Sequence, residues 1–220
     1  STCLNIFMNK LEVEKFKSSG VSIIDPITTY IDSSVIFNGN NITINPNTHI
    51  KGQSQINSNC IIGPNSYVVD SQVNKNVNIN FSYIENSILE SNCIIGPYSR
   101  VRSNSLIGQN VKIGNFAEIK NSKIGKNSNL NHYCYIGDSL IGVNVNIGAG
   151  VVTCNYDGKN KSKTIIGDNC FIGSGTMIIA PRNIGNNVTT GAGSIITKDI
   201  EQNLIVVGNP AKILDNSRNQ

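Results

Sequence analysis

Aliphatic residues return along this chain every six positions, occasionally every five, and a glycine follows many of them. Ile-Gly pairs begin at 62, 95, 107, 113, 124, 136, 141, 147, 166, 172 and 184. The same spacing runs through Ile44, Ile50, Ile56, Val68, Val73, Ile79, Ile84, Leu89, Val101, Ile119 and Leu130, and beyond a gap through Ile178 and Ile196. A helical face repeats at about 3.6 residues and a half-buried strand at two, so neither produces this pattern. Six residues make one short strand and a turn. Three such units close a triangular coil of about 18 residues, and stacked coils line the aliphatic side chains into an internal ladder. The ladder from Ile44 to Ile196 amounts to about eight coils. Glycine after the ladder residue suits a corner that is crowded or needs a positive φ. Cys60, Cys93, Cys134 and Cys170 each stand two residues before a ladder position, where a small apolar side chain fills the prism.

The pattern divides the chain into an all-β solenoid over residues 34–200 and two flanking pieces. Residues 1–33 precede the repeat, with a short helix over NKLEVEKFKSS (9–19) ended by Gly20 and a turn at Asp25-Pro26. Residues 201–220 leave the pattern as a tail whose last four residues fray. A solenoid needs covered ends, and these pieces supply them. The ladder stops between Thr153 and Ile165. The intervening CNYDGKNKSKT (154–164) is polar and too long for a corner, so it is an extruded loop. On a rigid scaffold, loops are where chemistry is usually placed.

Composition narrows the class. Asn and Ile each number 35 of 220 residues. Asn forms helices poorly and tolerates left-handed turns, whereas β-branched Ile favours strands. An ordinary helical bundle or α/β sandwich is thereby disfavoured. Charged residues are 15%, aromatics 6%, and Trp is absent, so the core is aliphatic. The net charge of +4 arises without a basic run, which argues against nucleic acid as a partner. No apolar stretch approaches the roughly 18 residues of a membrane helix. The six cysteines contain no C-x-x-C pair and follow no secretory signal, which points to free thiols in a reducing, cytoplasmic compartment.

Candidate chemistry is sparse. Two histidines are too few for a three-His zinc site, and no metal is expected. His49, in NTHIKG, reads as a surface residue. His132, in NLNHYCYIGD, fits either a structural or a catalytic role. Arg102 and Lys120 lie 18 residues apart, one coil, and should stack about 4.8 Å apart. Such cations repel unless an anion lies between or beside them, so they form either a phosphate-binding pair or two solvated side chains. Tyr135 and Asn146 follow within a coil and a half, with a hydroxyl and an amide suited to a sugar. Cys154, beside the loop, is an alternative nucleophile, although no histidine lies near it in sequence. No P-loop, G-x-S-x-G or G-x-G-x-x-G motif occurs.

The strings GPYSRVR, IGNFAEIKNSKIG, NHYCYIGDS, VNIGAGVVTCNYDGKNKSKT and IIGDNCFIGS together resemble the acetyltransferase half of a bacterial bifunctional family. That family is N-acetylglucosamine-1-phosphate uridyltransferase/glucosamine-1-phosphate N-acetyltransferase. The likeness covers nearly the whole chain, from GVSIIDPITTYID onward, and weakens after about residue 200. It implies a left-handed parallel β-helix of the hexapeptide-repeat superfamily, an exception to the usual crossover hand. It implies direct acetyl transfer from acetyl-CoA to the 2-amino group of glucosamine 1-phosphate in a ternary complex, feeding UDP-GlcNAc and cell-envelope synthesis. By the same resemblance His132 is the general base, and Arg102, Lys120, Tyr135 and Asn146 hold the acceptor sugar and its phosphate. Ala149, Asn155, Tyr156, Ser174 and Ala192 correspond to acetyl-CoA contacts, with backbone N–H groups near Ala149 facing the developing oxyanion. Lys161 corresponds to a loop lysine that reaches a neighbouring subunit's site, which implies a homotrimer with its sites in clefts between solenoids.

One position departs from the family pattern. An Arg near the C-terminus that contacts acetyl-CoA is replaced here by Asn209, with Lys212 as a possible substitute. Residues 1–33 resemble the segment that joins the two halves of that family's enzymes, and with Ser1 at the start this suggests the C-terminal part of a longer polypeptide. No uridyltransferase activity is expected of this chain, which lacks a nucleotide-binding Gly-rich loop. Two other readings stand beside this one: an acyltransferase for a different amino sugar or nucleotide sugar, and a non-enzymatic solenoid. Against the last, regular Thr-x-Thr ladders are missing.

Overall fold

The computed structural model describes residues 16–214, and within them the six-residue period closes into stacked triangular coils. Three parallel sheets form the faces of the prism. The first has twelve strands, from Val21–Ile23 to Ile205–Val207, plus an antiparallel closing strand at Lys212–Ile213 that is counted among the twelve. The second has ten strands and the third nine. The chain is thus an all-β parallel solenoid. Each ladder residue faces inward: Ile44, Ile50, Ile56, Ile62, Val68 and Val73 are fully buried, and the file continues in this way to Ile196. Each such side chain contributes about 1.5–3 kcal/mol through burial.

The stack is longer than the eight coils expected, and its ends lie outside residues 34–200. Val21 and Ile23 pair with Ile42 and Ile44, and Val206 pairs with Thr190. These end coils carry buried aliphatic residues without the Ile-Gly signature, so the hexad pattern does not reveal them. Of the helix expected over 9–19, residues 16–18 are helical and Gly20 (φ 80°) ends it; residues 9–15 lie outside the described residues, as do 215–220. The Asp25-Pro26 turn is present. Its carboxylate accepts the Ile27 N–H at 3.0 Å and the Thr28 hydroxyl at 2.7 Å. No helix among the described residues is long and apolar enough to cross a membrane.

Thr153 does not end the ladder but occupies a fully buried place in it, opposite Ile178. Its hydroxyl is satisfied there by the Gly137 N–H at 2.8 Å, as a buried polar group must be. The four cysteines two residues before ladder positions are buried as expected, and burial pushes the Cys93 and Cys134 thiols up to about 12. His49 differs from expectation. Its ring is stacked between Tyr30 (4.6 Å) and Tyr67 (4.2 Å), its Nδ1 is buried without a partner, and burial, followed by the Lys51 charge, lowers its pKa.

The corners reveal why Asn is so abundant. Asn41, Asn59, Asn76, Asn92, Asn110, Asn127, Asn144 and Asn169 all have φ between 56° and 65° and occupy one corner of successive coils. Each amide donates to the next along the file: Asn110 Nδ2 to Asn127 Oδ1 at 2.9 Å, Asn127 Nδ2 to Asn144 Oδ1 at 3.1 Å. The positive φ expected of the ladder glycines belongs largely to these asparagines. Glycines such as Gly125 are required for a different reason, since a Cβ there would run into the Gly142 carbonyl of the next coil.

Replacing Asn127 separates these effects. Asn127→Ala adds left-handed strain of about 1–2 kcal/mol to the lost amide bonds, whereas Asn127→Gly loses the bonds alone. The Ala variant should therefore melt below the Gly variant by circular dichroism. Equal melting temperatures would show that φ is not the constraint at this corner.

Candidate active site

Arg102 and Lys120 occupy equivalent places on adjacent coils of the second face, in register between the Arg100–Arg102 and Glu118–Lys120 strands. They stack as their one-coil interval requires, but their charges are met within the chain. Arg102 Nε donates to Glu118 Oε1 at 2.6 Å, and Lys120 Nζ reaches Asp138 Oδ1 and Oδ2 at 3.0 and 2.9 Å. The anions that relieve the repulsion are therefore carboxylates, and stacking alone does not call for a bound phosphate.

The two pairs differ in their contact with water. The Arg102 and Glu118 side chains are 28% and 34% exposed, whereas those of Lys120 and Asp138 are 11% each. The first resembles a surface pair, worth up to about 1 kcal/mol. The second is desolvated, and cutting one member of such a pair costs roughly 3–5 kcal/mol. Burial by itself raises the Asp138 pKa, but hydrogen bonds from Asn121, Lys120 and Asn155, with the Lys120 charge, outweigh it and hold the carboxyl below its ordinary value.

Tyr135 begins the Tyr135–Gly137 strand on the same face, beside Glu118. Its phenol lies back over Gly137, where an added Cβ would stand 2.5 Å from Tyr135 Oη and 2.8 Å from Asn155 Nδ2. A side chain at 137 would therefore have to displace one of these two side-chain ends. Asn155, expected at the acetyl-CoA site, is buried here, and its amide nitrogen donates to Asp138 Oδ2.

His132 ends the Asn129–His132 strand of the first face and is exposed, with Nδ1 3.0 Å from Asn115 Oδ1 on the preceding coil. The register then continues downward. From the pairs Asn129–Asn146, Asn146–Phe171 and Phe171–Thr189, three residues further on in each coil gives His132, Ala149, Ser174 and Ala192 as one file along a corner. All four are exposed. The residue after each also lines up. Tyr133 is followed on the next coils by Gly150, Gly175 and Gly193, all with positive φ, and a Cβ at Gly193 would meet nothing within 4 Å. Below His132 the corner therefore carries small side chains, and the backbone is open to close approach. The Gly150 N–H donates to the Tyr133 carbonyl at 2.6 Å and so is already engaged.

Asn146 lies half-buried on the first face, three residues before Ala149. A cavity of about 260 Å³ is lined by Phe116, Glu118, Tyr133, Cys134, Tyr135 and Val152. The loop folds as a small hairpin: Tyr156 bridges Lys161, the Ser162 N–H donates to the Asn155 carbonyl at 2.8 Å, and Asp157 Oδ1 accepts the Lys159 and Asn160 N–H groups at 2.8 and 2.6 Å. Tyr156 and Lys161 are both exposed on it. Asn209 and Lys212 are exposed beyond the last parallel strand. Burial raises the Cys154 thiol, the wrong direction for a nucleophile.

Sequence reasoning missed Glu118, Asp138 and Asn115. Asp138 follows Lys120 by 18 residues, the same interval that singled out the cation pair. Glu118 and Asn115 lie 16 and 17 residues from their partners.

Three stacked faces of six-residue units define a hexapeptide-repeat solenoid, and comparison with known proteins agrees. A family model described as GMPPB C-terminal domain matches residues 31–111 and again 97–180, and one described as bacterial transferase hexapeptide (six repeats) matches residues 163–198. The chain is 43% identical over 202 residues to the bifunctional protein GlmU of Carboxydothermus hydrogenoformans, covering 92% of this chain and 45% of that one. It is 43% identical over 203 residues to the protein of the same name from Thermotoga sp. strain RQ2, with the same coverage of 92% and 45%. The chain therefore belongs to the GMPPB C-terminal domain family, as a GlmU-like C-terminal domain with hexapeptide repeats. It spans under half the length of these curated relatives. Among solved structures, the UDP-N-acetylglucosamine acyltransferase of Campylobacter jejuni shares the fold, with a TM-score of 0.57 at 18% identity over 88% of this chain and 74% of that chain.

Proposed function

We propose that this chain transfers the acetyl group of acetyl-CoA to the 2-amino group of glucosamine 1-phosphate, with His132 as general base. The observation that carries the reading is the single file of His132, Ala149, Ser174 and Ala192, beside a face that holds Arg102, Lys120 and Tyr135. An exposed imidazole heads a corner stripped of large side chains, along which a thin pantetheine arm can lie against the backbone. The names of the relatives support the same reading.

The chemistry follows from the contacts. With Asn115 Oδ1 as acceptor, the His132 ring carries its proton on Nδ1 and leaves Nε2 as the base. Nε2 takes a proton from the acceptor nitrogen as that nitrogen bonds to the thioester carbonyl carbon. The carbon–sulfur bond breaks, and the thiolate of CoA leaves and is protonated. Arg102 and Lys120 meet the phosphate, Tyr135 and Asn146 the sugar, and Ala149, Asn155, Tyr156, Ser174 and Ala192 the acetyl-CoA. No acyl-enzyme is required. Asn209 in place of an arginine favours a second reading, in which the acceptor is another amino sugar or a nucleotide sugar. A thiol-release assay across amino sugars and their 1-phosphates distinguishes the two.

His132→Ala should fold normally and lose about 10²–10⁴ in turnover, the usual range for a lost general base. A folded variant with wild-type turnover would remove His132 from the mechanism.

Arg102→Ala and Lys120→Ala should chiefly raise KM for the phosphorylated acceptor, since a charge-assisted hydrogen bond contributes about 1.5–3 kcal/mol. Equal losses toward glucosamine and its 1-phosphate would show that neither cation serves the phosphate.

The active species on this reading is a homotrimer in which Lys161 reaches the neighbouring site. Tyr98, Phe116 and Tyr133, at 56, 59 and 70% exposed, form an aromatic edge beside the cavity that a neighbouring subunit would cover. Light scattering at assay concentration should give three times the chain mass. A fully active monomer would refute the arrangement.

A further inference from the structure

We propose that Asp138 is a positioning residue that fixes Lys120 and both ends of the 155–163 loop as one unit. The residue is 8% exposed, and its carboxylate receives four donations. Lys120 Nζ gives to Oδ1 at 3.0 Å and to Oδ2 at 2.9 Å, Asn121 Nδ2 gives to Oδ1 at 2.5 Å, and Asn155 Nδ2 gives to Oδ2. Two oxygens with two lone pairs each are thereby filled. The backbone of the same residue completes the clamp. Asp138 N–H donates to the Lys120 carbonyl at 2.9 Å, and its carbonyl accepts the Thr164 N–H at 3.3 Å. Asn155 is where the chain leaves the coil, and Thr164 is where it returns, opposite Ser139. One residue thus holds the loop at entry and exit while fixing the ammonium one coil away.

The consequence for binding rests on the roles proposed above for Lys120 and for Asn155 with Tyr156. If those hold, Asp138 ties the acceptor site to the acetyl-CoA site, although its own carboxylate is fully engaged within the chain. Loss of Lys120 removes the acceptor's contact and leaves the carboxylate without its cation, but keeps the Asn155 and Thr164 links to the loop. Loss of Asp138 disturbs both substrates together. A carboxamide at 138 keeps the shape but presents an NH₂ group toward Lys120 Nζ or Asn155, so at least one of the donations fails.

The test uses the full chain with Asp138→Asn, and Asn155→Ala as a milder variant that removes the side-chain link at the loop's entry and keeps the Thr164 link at its exit. Two measurements are taken: KM for each substrate, and the rate of trypsin cleavage after Lys159, Lys161 and Lys163, which are exposed on the loop. In Asp138→Asn, both KM values should rise about tenfold or more, kcat should fall less, and loop cleavage should rise at least tenfold. Asn155→Ala should raise KM for acetyl-CoA and loop cleavage while leaving acceptor KM near wild type. A rise in one KM alone in Asp138→Asn, unchanged cleavage in either variant, or a general loss of kcat with both KM values unchanged would overturn the clamp. Should the wild-type chain transfer acetyl to no amino sugar phosphate, the functional reading fails, and the cleavage comparison still decides whether Asp138 holds the loop.

Discussion

Every coil is hydrogen-bonded in register to the one before and the one after, so a residue meets its counterparts 16 to 18 positions away along most of the chain. This registry governs the rest of the structure. Any residue type repeated at that interval becomes a continuous file: aliphatic side chains in the core, asparagine amides at one corner, serine hydroxyls at another. Ser71 Oγ, for instance, accepts the Ser87 N–H at 3.1 Å, and Ser105 Oγ accepts the Ser122 N–H at 3.2 Å. A slip of one residue would turn the core isoleucines toward water and break every file at once, so each coil pins the register of its neighbours.

The same registry explains what the sequence disclosed and what it withheld. Inward positions have a simple rule, because the prism interior accepts aliphatic and small residues alone; the ladder, the four buried cysteines and the extruded loop were therefore legible. Outward side chains obey no such rule. Their partners lie one coil away, and a five-residue turn changes the offset from 18 to 17 or 16. Arg102 and Lys120 were found because their interval is the full 18, while Glu118, diagonal to Arg102, and Asn115, 17 before His132, were not. His49 was misread for a related reason: its neighbours in the chain are polar, and the rings that enclose it come from the coils on either side. The ends of the stack escaped because Val21 and Val206 are buried without the glycine that marks interior hexads.

On the proposed function, the two cations are prepared differently for an anionic substrate. Arg102 is held by a carboxylate in a half-exposed pair, so a phosphate can take the place of Glu118 at little cost, since solvent already screens that interaction. Lys120 is fixed by a desolvated carboxylate whose removal would strand a buried ammonium. One cation can exchange partners, while the other keeps its partner and offers its remaining proton. An arrangement of this kind supplies positive charge without leaving it uncompensated when no substrate is bound.

The loop shows how such a site can be added to so constrained a scaffold. Between Asn144 and Asn169 the interval widens to 25 residues, yet the asparagine file crosses it unbroken, Asn144 Nδ2 meeting Asn169 Oδ1 at 3.1 Å. Val152 still pairs with Met177 and Leu140 with Ile165, so the extra residues leave the coil and return without shifting the register on any face. What allows this is closure at the base. The Ser162 N–H bonds the Asn155 carbonyl at 2.8 Å, Tyr156 bridges Lys161, and Asp138 receives the chain on both sides. A loop closed at its root adds little entropy cost per extra residue and transmits no strain to the core. Its tip is then free to carry exposed groups such as Tyr156 and Lys161, whose identities the aliphatic ladder does not constrain. Chemistry on this fold is therefore decided at the corners and in the loop, by side chains that the repeat neither requires nor forbids.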